Sequence, residues 1–209
     1  MVLDTDVATL DVTPPVATIT APKLTRTRTI AVTIKGTDAV GVTGYFVSES
    51  ASTPVAGAPG WTGVAPSTFA LSSGDGVKTV RAWAKDAAGN VSAAASATVR
   101  LDTKPPTSTI KTPSAKAVTS FAKFTGTAAD ANGSGLKQVE VSLRRQVTKT
   151  TCEHWNGRKW VTGACTKLFW LKAKGTATWT LALPKQTAAG AYTVQTAALD
   201  VAGNRQAKF

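Results

Sequence analysis

Apolar and polar residues alternate along this chain in short runs. In residues 29–35, Ile30, Val32 and Ile34 are separated by Ala31 and Thr33; in residues 139–143, Val139, Val141 and Leu143 are separated by Glu140 and Ser142. A period of two puts one set of side chains on one face of a strand. Runs of this kind, bounded by Gly, Pro, Asn or Asp, predict strands near 16–20, 29–35, 43–48, 67–71, 78–84 and 96–101. A second set falls near 107–111, 121–126, 137–145, 175–183 and 191–199. Threonine and valine are abundant and long helix-forming runs are missing, which favours pleated sheet. No apolar run approaches the roughly 20 residues that span a bilayer. The opening "MVLDTDVATL" shows neither the basic nor the apolar region of a signal peptide.

The two sets of strands belong to an internal repeat. "LDVTPPVATI" (10–19) and "LDTKPPTSTI" (101–110) share the frame Leu-Asp-x-x-Pro-Pro-x-x-Thr-Ile at an offset of 91, while "GVKTVRAWAKDAAGN" (76–90) and "GAYTVQTAALDVAGN" (190–204) match at an offset of 114. The second copy therefore carries about 23 additional residues, and they fall between Val141 and Gly190. The expected architecture is all-β: two β-sandwiches in tandem, over residues 12–102 and 103–209. Residues 1–11 read as a spare strand or the remnant of a preceding repeat, because "VATL" before Asp11 is comparable with "TVRL" before Asp102. The second copy has six residues after Gly203, so its last strand reads as incomplete.

Asp-x-x-Pro-Pro at the start of each copy and "DAAGN" or "DVAGN" before each last strand resemble the bacterial immunoglobulin-like (Big-type) repeats of secreted and cell-surface proteins. "HWNGRKW" is similar to a Trp-Asn-Gly-x-x-Trp hairpin of some members. The resemblance covers almost the whole chain and implies immunoglobulin-like sandwiches in an extracellular, non-catalytic role. It names no ligand.

Net charge refines the choice of partner. The formal net charge is +12, but residues 1–101 are net +1 and residues 102–209 net +11. The cations are spread over predicted strands, with no basic helix face and no glycine-rich phosphate loop. That argues against nucleic acid and for a solvated surface or affinity for surface glycans and acidic polymers.

"CEHWNGRKWVTGAC" (152–165) holds both cysteines and the single histidine, His154. Cys152 and Cys165 read as a disulfide that staples an inserted hairpin; a zinc site would lack two ligands of usual spacing. Asn156-Gly157 signals a two-residue turn. Such a turn sets Cys152 opposite Val161, so the bridge would require a bulge around residues 162–164. Trp155, Trp160 and Trp170, with Arg158 and Lys159, form a candidate binding surface; packing on the parent sheet is the competing reading. Trp83 is expected to point outward, between Arg81 and Lys85, and to line a subunit contact.

Asp11, Asp38 and Asp86 correspond in the repeat to Asp102, Asp130 and Asp200. Each triad is expected to gather at one pole, at a domain junction, where hard oxygens suit Ca²⁺. Capping of local turns is the other reading. Glu49, Glu140 and Glu153 form no evident carboxylate pair and no nucleophile elbow is present, so no catalytic residue is assigned and no enzyme is expected. The leading function is a structural one: a filament, stalk or adhesin segment, associating with itself head-to-tail. Val2, Leu3, Val7, Ala8 and Leu10 would serve as a donor strand, and Pro14, Pro15, Pro105 and Pro106 as rigid hinges. The alternative is a carbohydrate- or acidic-polymer-binding accessory module of a secreted enzyme.

Overall fold

The computed structural model describes residues 10–114, 120–187 and 190–207. It is all-β, with no helix among the described residues. The chain divides after Leu101 into two compact units. Each is an immunoglobulin-like sandwich.

The first unit contains β1 (Val16–Thr20), β2 (Leu24–Thr25), β3 (Thr29–Ala31), β4 (Thr33–Thr37), β5 (Gly44–Ser48), β6 (Thr68–Ala70), β7 (Gly76–Lys85) and β8 (Ala95–Leu101). β4 pairs with β1 and β3 with β6, while the facing sheet runs β2-β8-β7-β5. Ile30, Val32 and Ile34 from the first layer meet Val80, Ala82, Val99 and Leu101 from the second. The polar partners of the alternation, Thr29, Thr33 and Lys35, are exposed. Pro15 and Pro106 are buried at the start of each unit, whereas the proline before each is exposed.

The second unit contains β9 (Thr107–Thr112), β10 (Ser120–Ala129), β11 (Leu136–Gln146), β12 (Thr151–Trp155), β13 (Trp160–Ala164), β14 (Leu171–Lys172), β15 (Lys174–Gly175), β16 (Thr178–Thr187) and β17 (Tyr192–Asp200). One sheet runs β15-β16-β10-β9; the other runs β13-β12-β11-β14, with β17 also pairing with β11. Phe121, Phe124, Trp179 and Leu181 pack against Val139, Val141, Leu143 and Ala198. Trp179 pairs with Gly126 across β16 and β10, and a Cβ on Gly126 would sit 1.9 Å from Thr109 O and 2.3 Å from Trp179 Cζ2. That residue is glycine because the ring takes the place of a side chain.

Two expectations are corrected. β12 and β13 are joined by a four-residue loop, Asn156 to Lys159, so Cys152 opposes Gly163 rather than Val161. Asn156 Oδ1 accepts hydrogen bonds from the backbone N–H groups of Arg158 (2.9 Å) and Lys159 (2.8 Å), which favours the longer loop. No bulge is needed: the ladder runs unbroken from Thr151↔Ala164 to Trp155↔Trp160, and Cys152 bonds Cys165 just beyond it.

The second correction concerns Trp83. It points away from Val80 and Ala82, as the period requires, yet it is fully buried. The segment between β5 and β6 folds back over this face. Phe46 packs between Trp83 and Trp61, Lys85 Nζ lies 5.0 Å over Trp61, and Trp61 Nε1 donates to Val55 O at 3.0 Å. Trp83 is thus covered from within its own unit.

Candidate functional site

The aspartates gather as the repeat implies, and they do so within each unit. Carboxylate oxygens of Asp11, Asp38 and Asp86 lie within 4.8 Å of one another, and so do those of Asp102, Asp130 and Asp200. Backbone N–H groups offset the repulsion. Asp38 Oδ1 caps Val40 and Gly41, and Asp11 Oδ1 caps Thr13. Asp102 accepts from Lys104 N and Ser134 N, and Asp130 from Gly135 N. Turn-capping is therefore present at every one of these positions. Asp11 Oδ2 remains buried without a hydrogen bond.

Asp86 and Asp200 open the two five-residue turns that share Gly-Asn. Gly89 and Gly203 adopt φ of 91° and 95°, the left-handed region that glycine enters without a Cβ penalty. The turn then aims an asparagine amide at two acceptors. Asn90 Nδ2 donates to Asp86 Oδ2 (2.7 Å) and to the carbonyl of Asp11 (3.0 Å), 79 residues away in sequence. Asn204 Nδ2 donates to Asp200 Oδ2 (2.9 Å) and to the carbonyl of Asp102 (2.9 Å), a separation of 102. In both units one side chain fastens the start of the sandwich to its last hairpin.

Burial alone would raise the Asp86 carboxyl. The Asn90 side chain and the N–H groups of Asn90, Gly89 and Ala88 outweigh that and hold it below the usual aspartate range. Asn90 also heads a formal glycosylation sequon, Asn-Val-Ser, but its amide nitrogen is engaged in this lock.

The cysteine hairpin is packed onto its own unit. Trp155 is buried in the core, edge-on to Trp160 at 5.5 Å. Trp160 is held by Arg145 over its ring (5.3 Å), by Tyr192 beside it, and by a hydrogen bond from Nε1 to Gln186 Oε1 (3.2 Å). Arg145 in turn pairs with Glu153. Trp170 lies under Arg205, which pairs with Glu140 at 2.8 Å. His154 is buried, with Nε2 3.0 Å from Ala164 O. Of the proposed binding surface, Arg158 and Lys159 stand exposed at the hairpin tip. The rings are largely spent on packing, and Trp155 has no face left for a ligand.

Of the donor-strand residues, Val2, Leu3, Val7 and Ala8 lie outside the described residues. Leu10 is described, and 80% of it is exposed. The Pro pairs, the six aspartates and the two cysteines were all legible as motifs. Asn90 and Asn204 close the repeated DAAGN and DVAGN motifs, but nothing in sequence marks the backbone carbonyls they bind.

Neither a protein-family model nor a curated protein sequence matches the chain. Among solved structures it is similar to fibronectin(III)-like modules of CbhA from Clostridium thermocellum, at 12% identity over 90% of this chain and 89% of that one, with a TM-score of 0.42. It is also similar to the D00-D0 domain of Intimin, at 18% identity over 93% and 94%, with a TM-score of 0.40. A third likeness is to a tetra-tandem repeat in the extending region of a large adhesion protein, at 21% identity over 93% of this chain but 48% of that one, with a TM-score of 0.32. Similarity at this level carries no ligand or partner across.

Proposed function

We propose that the chain is a load-bearing segment of an extracellular, cell-surface structure: a filament, a stalk or the shaft of an adhesin. The observation that carries this reading is the repeated lock. Tension applied where the chain enters either sandwich pulls on the carbonyl of Asp11 or Asp102, and each is tied across the unit to its last hairpin. The disulfide suits the oxidising environment outside a cell. No helix among the described residues is long and apolar enough to cross a membrane. Donor-strand exchange between copies belongs to the same reading. A carbohydrate- or acidic-polymer-binding module is the weaker one, because it retains exposed cations but loses the buried face of Trp155.

The test is single-molecule pulling on the chain from its ends. Asn90→Ala and Asn204→Ala should each lower the unfolding force of one unit and leave the other unchanged. Equal forces in wild type and both variants would remove the basis for the reading. We extend the proposal to Ca²⁺ at each aspartate triad, where three carboxylates converge and Asp11 Oδ2 has no donor. Millimolar Ca²⁺ should then raise the melting temperature of the wild type by more than that of Asp38→Asn. A rise of the same size in both, or none, would leave the triads as turn caps alone.

A further inference from the structure

The sheet β15-β16-β10-β9 of the second unit turns one face outward, and two kinds of residue dominate that face. Thr107, Thr109 and Thr112 of β9 stand opposite Ala129, Thr127 and Thr125 of β10. Thr125 and Thr127 stand in turn opposite Thr180 and Thr178 of β16. Lys123 faces Ala182, and Lys174 of β15 faces Thr180. The residues between them, Phe124, Gly126, Trp179 and Leu181, are buried, so the period of two carries the threonines and lysines outward. Some of the hydroxyls pair across strands, Thr109 Oγ1 with Thr127 Oγ1 at 3.1 Å and Thr112 with Thr125. The four strands contain Lys111, Lys123, Lys174 and Lys185, all exposed, with no Arg and no acidic residue. Their aromatic rings, Phe121, Phe124 and Trp179, are buried.

The unit has no acid to spare for these lysines. Residues 102–209 contain five carboxylates: Asp102, Asp130 and Asp200 converge on one another, Glu140 pairs with Arg205, and Glu153 with Arg145. Both glutamates belong to the opposite sheet, in β11 and β12. The first unit shows that the charge is not required by the sandwich. Its corresponding strands β1, β3, β4 and β6 carry a single lysine, Lys35. Phe124 and Gly126 correspond to Ile34 and Gly36, so Lys123 takes the place of Thr33, and Lys111 takes that of Thr20.

We propose that this face binds a linear acidic polysaccharide of the uronic-acid class. Lysines offer compact point charges to carboxylates, and threonine hydroxyls both donate and accept, as sugar hydroxyls require. The face has no guanidinium fork to select phosphate and no ring on which a nucleic-acid base could stack. With strands about 4.8 Å apart and outward residues about 6.7 Å apart along each, the backbones of Lys174 and Lys123 are separated by roughly 12 Å, with Thr180 and Ala182 of β16 between them. A polymer crossing the strands meets a cation on either side and hydroxyls in between. The contact draws on no ring of the cysteine hairpin, and it goes beyond the load-bearing reading without depending on it.

The experiment titrates the full chain with polygalacturonate at low salt, with dextran as the neutral control. Two double variants carry the same change of charge: Lys123→Glu with Lys174→Glu on the face, and Arg158→Glu with Lys159→Glu at the hairpin tip. All four side chains are exposed, and tryptophan fluorescence in denaturant checks that each variant is folded. Polygalacturonate should bind saturably, more weakly as salt rises, and dextran should not bind. The face variant should lose roughly tenfold or more in affinity and the tip variant less than about threefold. Thr109→Val with Thr178→Val, which removes two exposed hydroxyls and no charge, should lose about threefold or more. Equal losses in the face and tip variants would mean that the polymer follows the net charge of the unit and would overturn the proposal. So would an absence of binding, equal binding of dextran, double-stranded DNA binding as tightly as polygalacturonate, or an unchanged affinity of the threonine variant. The pulling test changes none of these residues, so the load-bearing reading fails or survives separately.

Discussion

Replacing Asn204 by alanine removes one amide that serves two acceptors. The bond to the fully buried Asp200 carboxylate, at 2.9 Å, is of the charged class, worth about 1.5–3 kcal/mol net. The bond to the carbonyl of Asp102, also 2.9 Å, is of the neutral class, about 0.5–1.5 kcal/mol. Asp200 Oδ1 keeps the N–H groups of Gly203 and Asn204, both at 2.7 Å, so the carboxylate is not stranded and the lower half of the summed range applies. The expected loss is about 3 kcal/mol in the second unit, or a fall in melting temperature of roughly 12 °C for a domain near 100 residues. Denaturant titration followed by tryptophan fluorescence reads this out. Trp61 and Trp83 report on the first unit, and Trp155, Trp160, Trp170 and Trp179 on the second. The first unit serves as internal reference. A loss below about 0.5 kcal/mol, or an equal shift in both units, would refute the reasoning that the amide fastens the fold.

Other consequences can be measured on the same samples. Reducing Cys152–Cys165, which closes a separation of 13, should cost the second unit about 3 kcal/mol on the chain-entropy model and leave the first unit untouched; equal melting with and without reductant would contradict this. Gly126→Ala should destabilise the second unit by about 3 kcal/mol or more, because the methyl meets the Thr109 carbonyl and the Trp179 ring; denaturation showing near-neutrality would mean that the ring moves aside freely. The Asp86 carboxyl is held low in the folded state, so its contribution is fully present above the unfolded value near pH 4 and is lost as pH falls through the lower folded value. The stability gap between wild type and Asp86→Asn should therefore narrow from pH 7 to pH 2, and a constant gap would show that ionisation is not what the turn exploits.

Strand positions were legible because alternation is local: Ile30, Val32 and Ile34 need only their neighbours in sequence to declare a face. Burial of the other face was not. Trp83 lies on the side the period assigns to solvent, and what covers it is a segment ending far away at Trp61. Trp155 reads as a surface ring beside two cations until the hairpin is folded onto β11. The hairpin register differs by two residues from the one a two-residue turn predicts, because Asn156-Gly157 satisfies more than one loop length and the Asn156 side chain decides between them. The shift of two keeps the same side chains on each face and brings Cys165 to within two residues of Gly163, the partner of Cys152, so the bridge closes without a bulge. The locks were half visible. Their donors sit in a recognisable turn, but a backbone carbonyl leaves no trace in the sequence.

That last property bears on how such a chain could grow and diversify. A fastening that needs one asparagine, one aspartate, a left-handed glycine between them and a backbone carbonyl makes little demand on the rest of its sandwich. In the second unit it sits where Leu136 faces Asp200, at one end of β11. The additional residues of that copy emerge past Gln146, at the other end of the same strand, roughly 33 Å along at 3.3 Å per residue. Loops at the far end of such a unit can thus vary, and hairpins be gained or lost there, without touching the residues that fasten it.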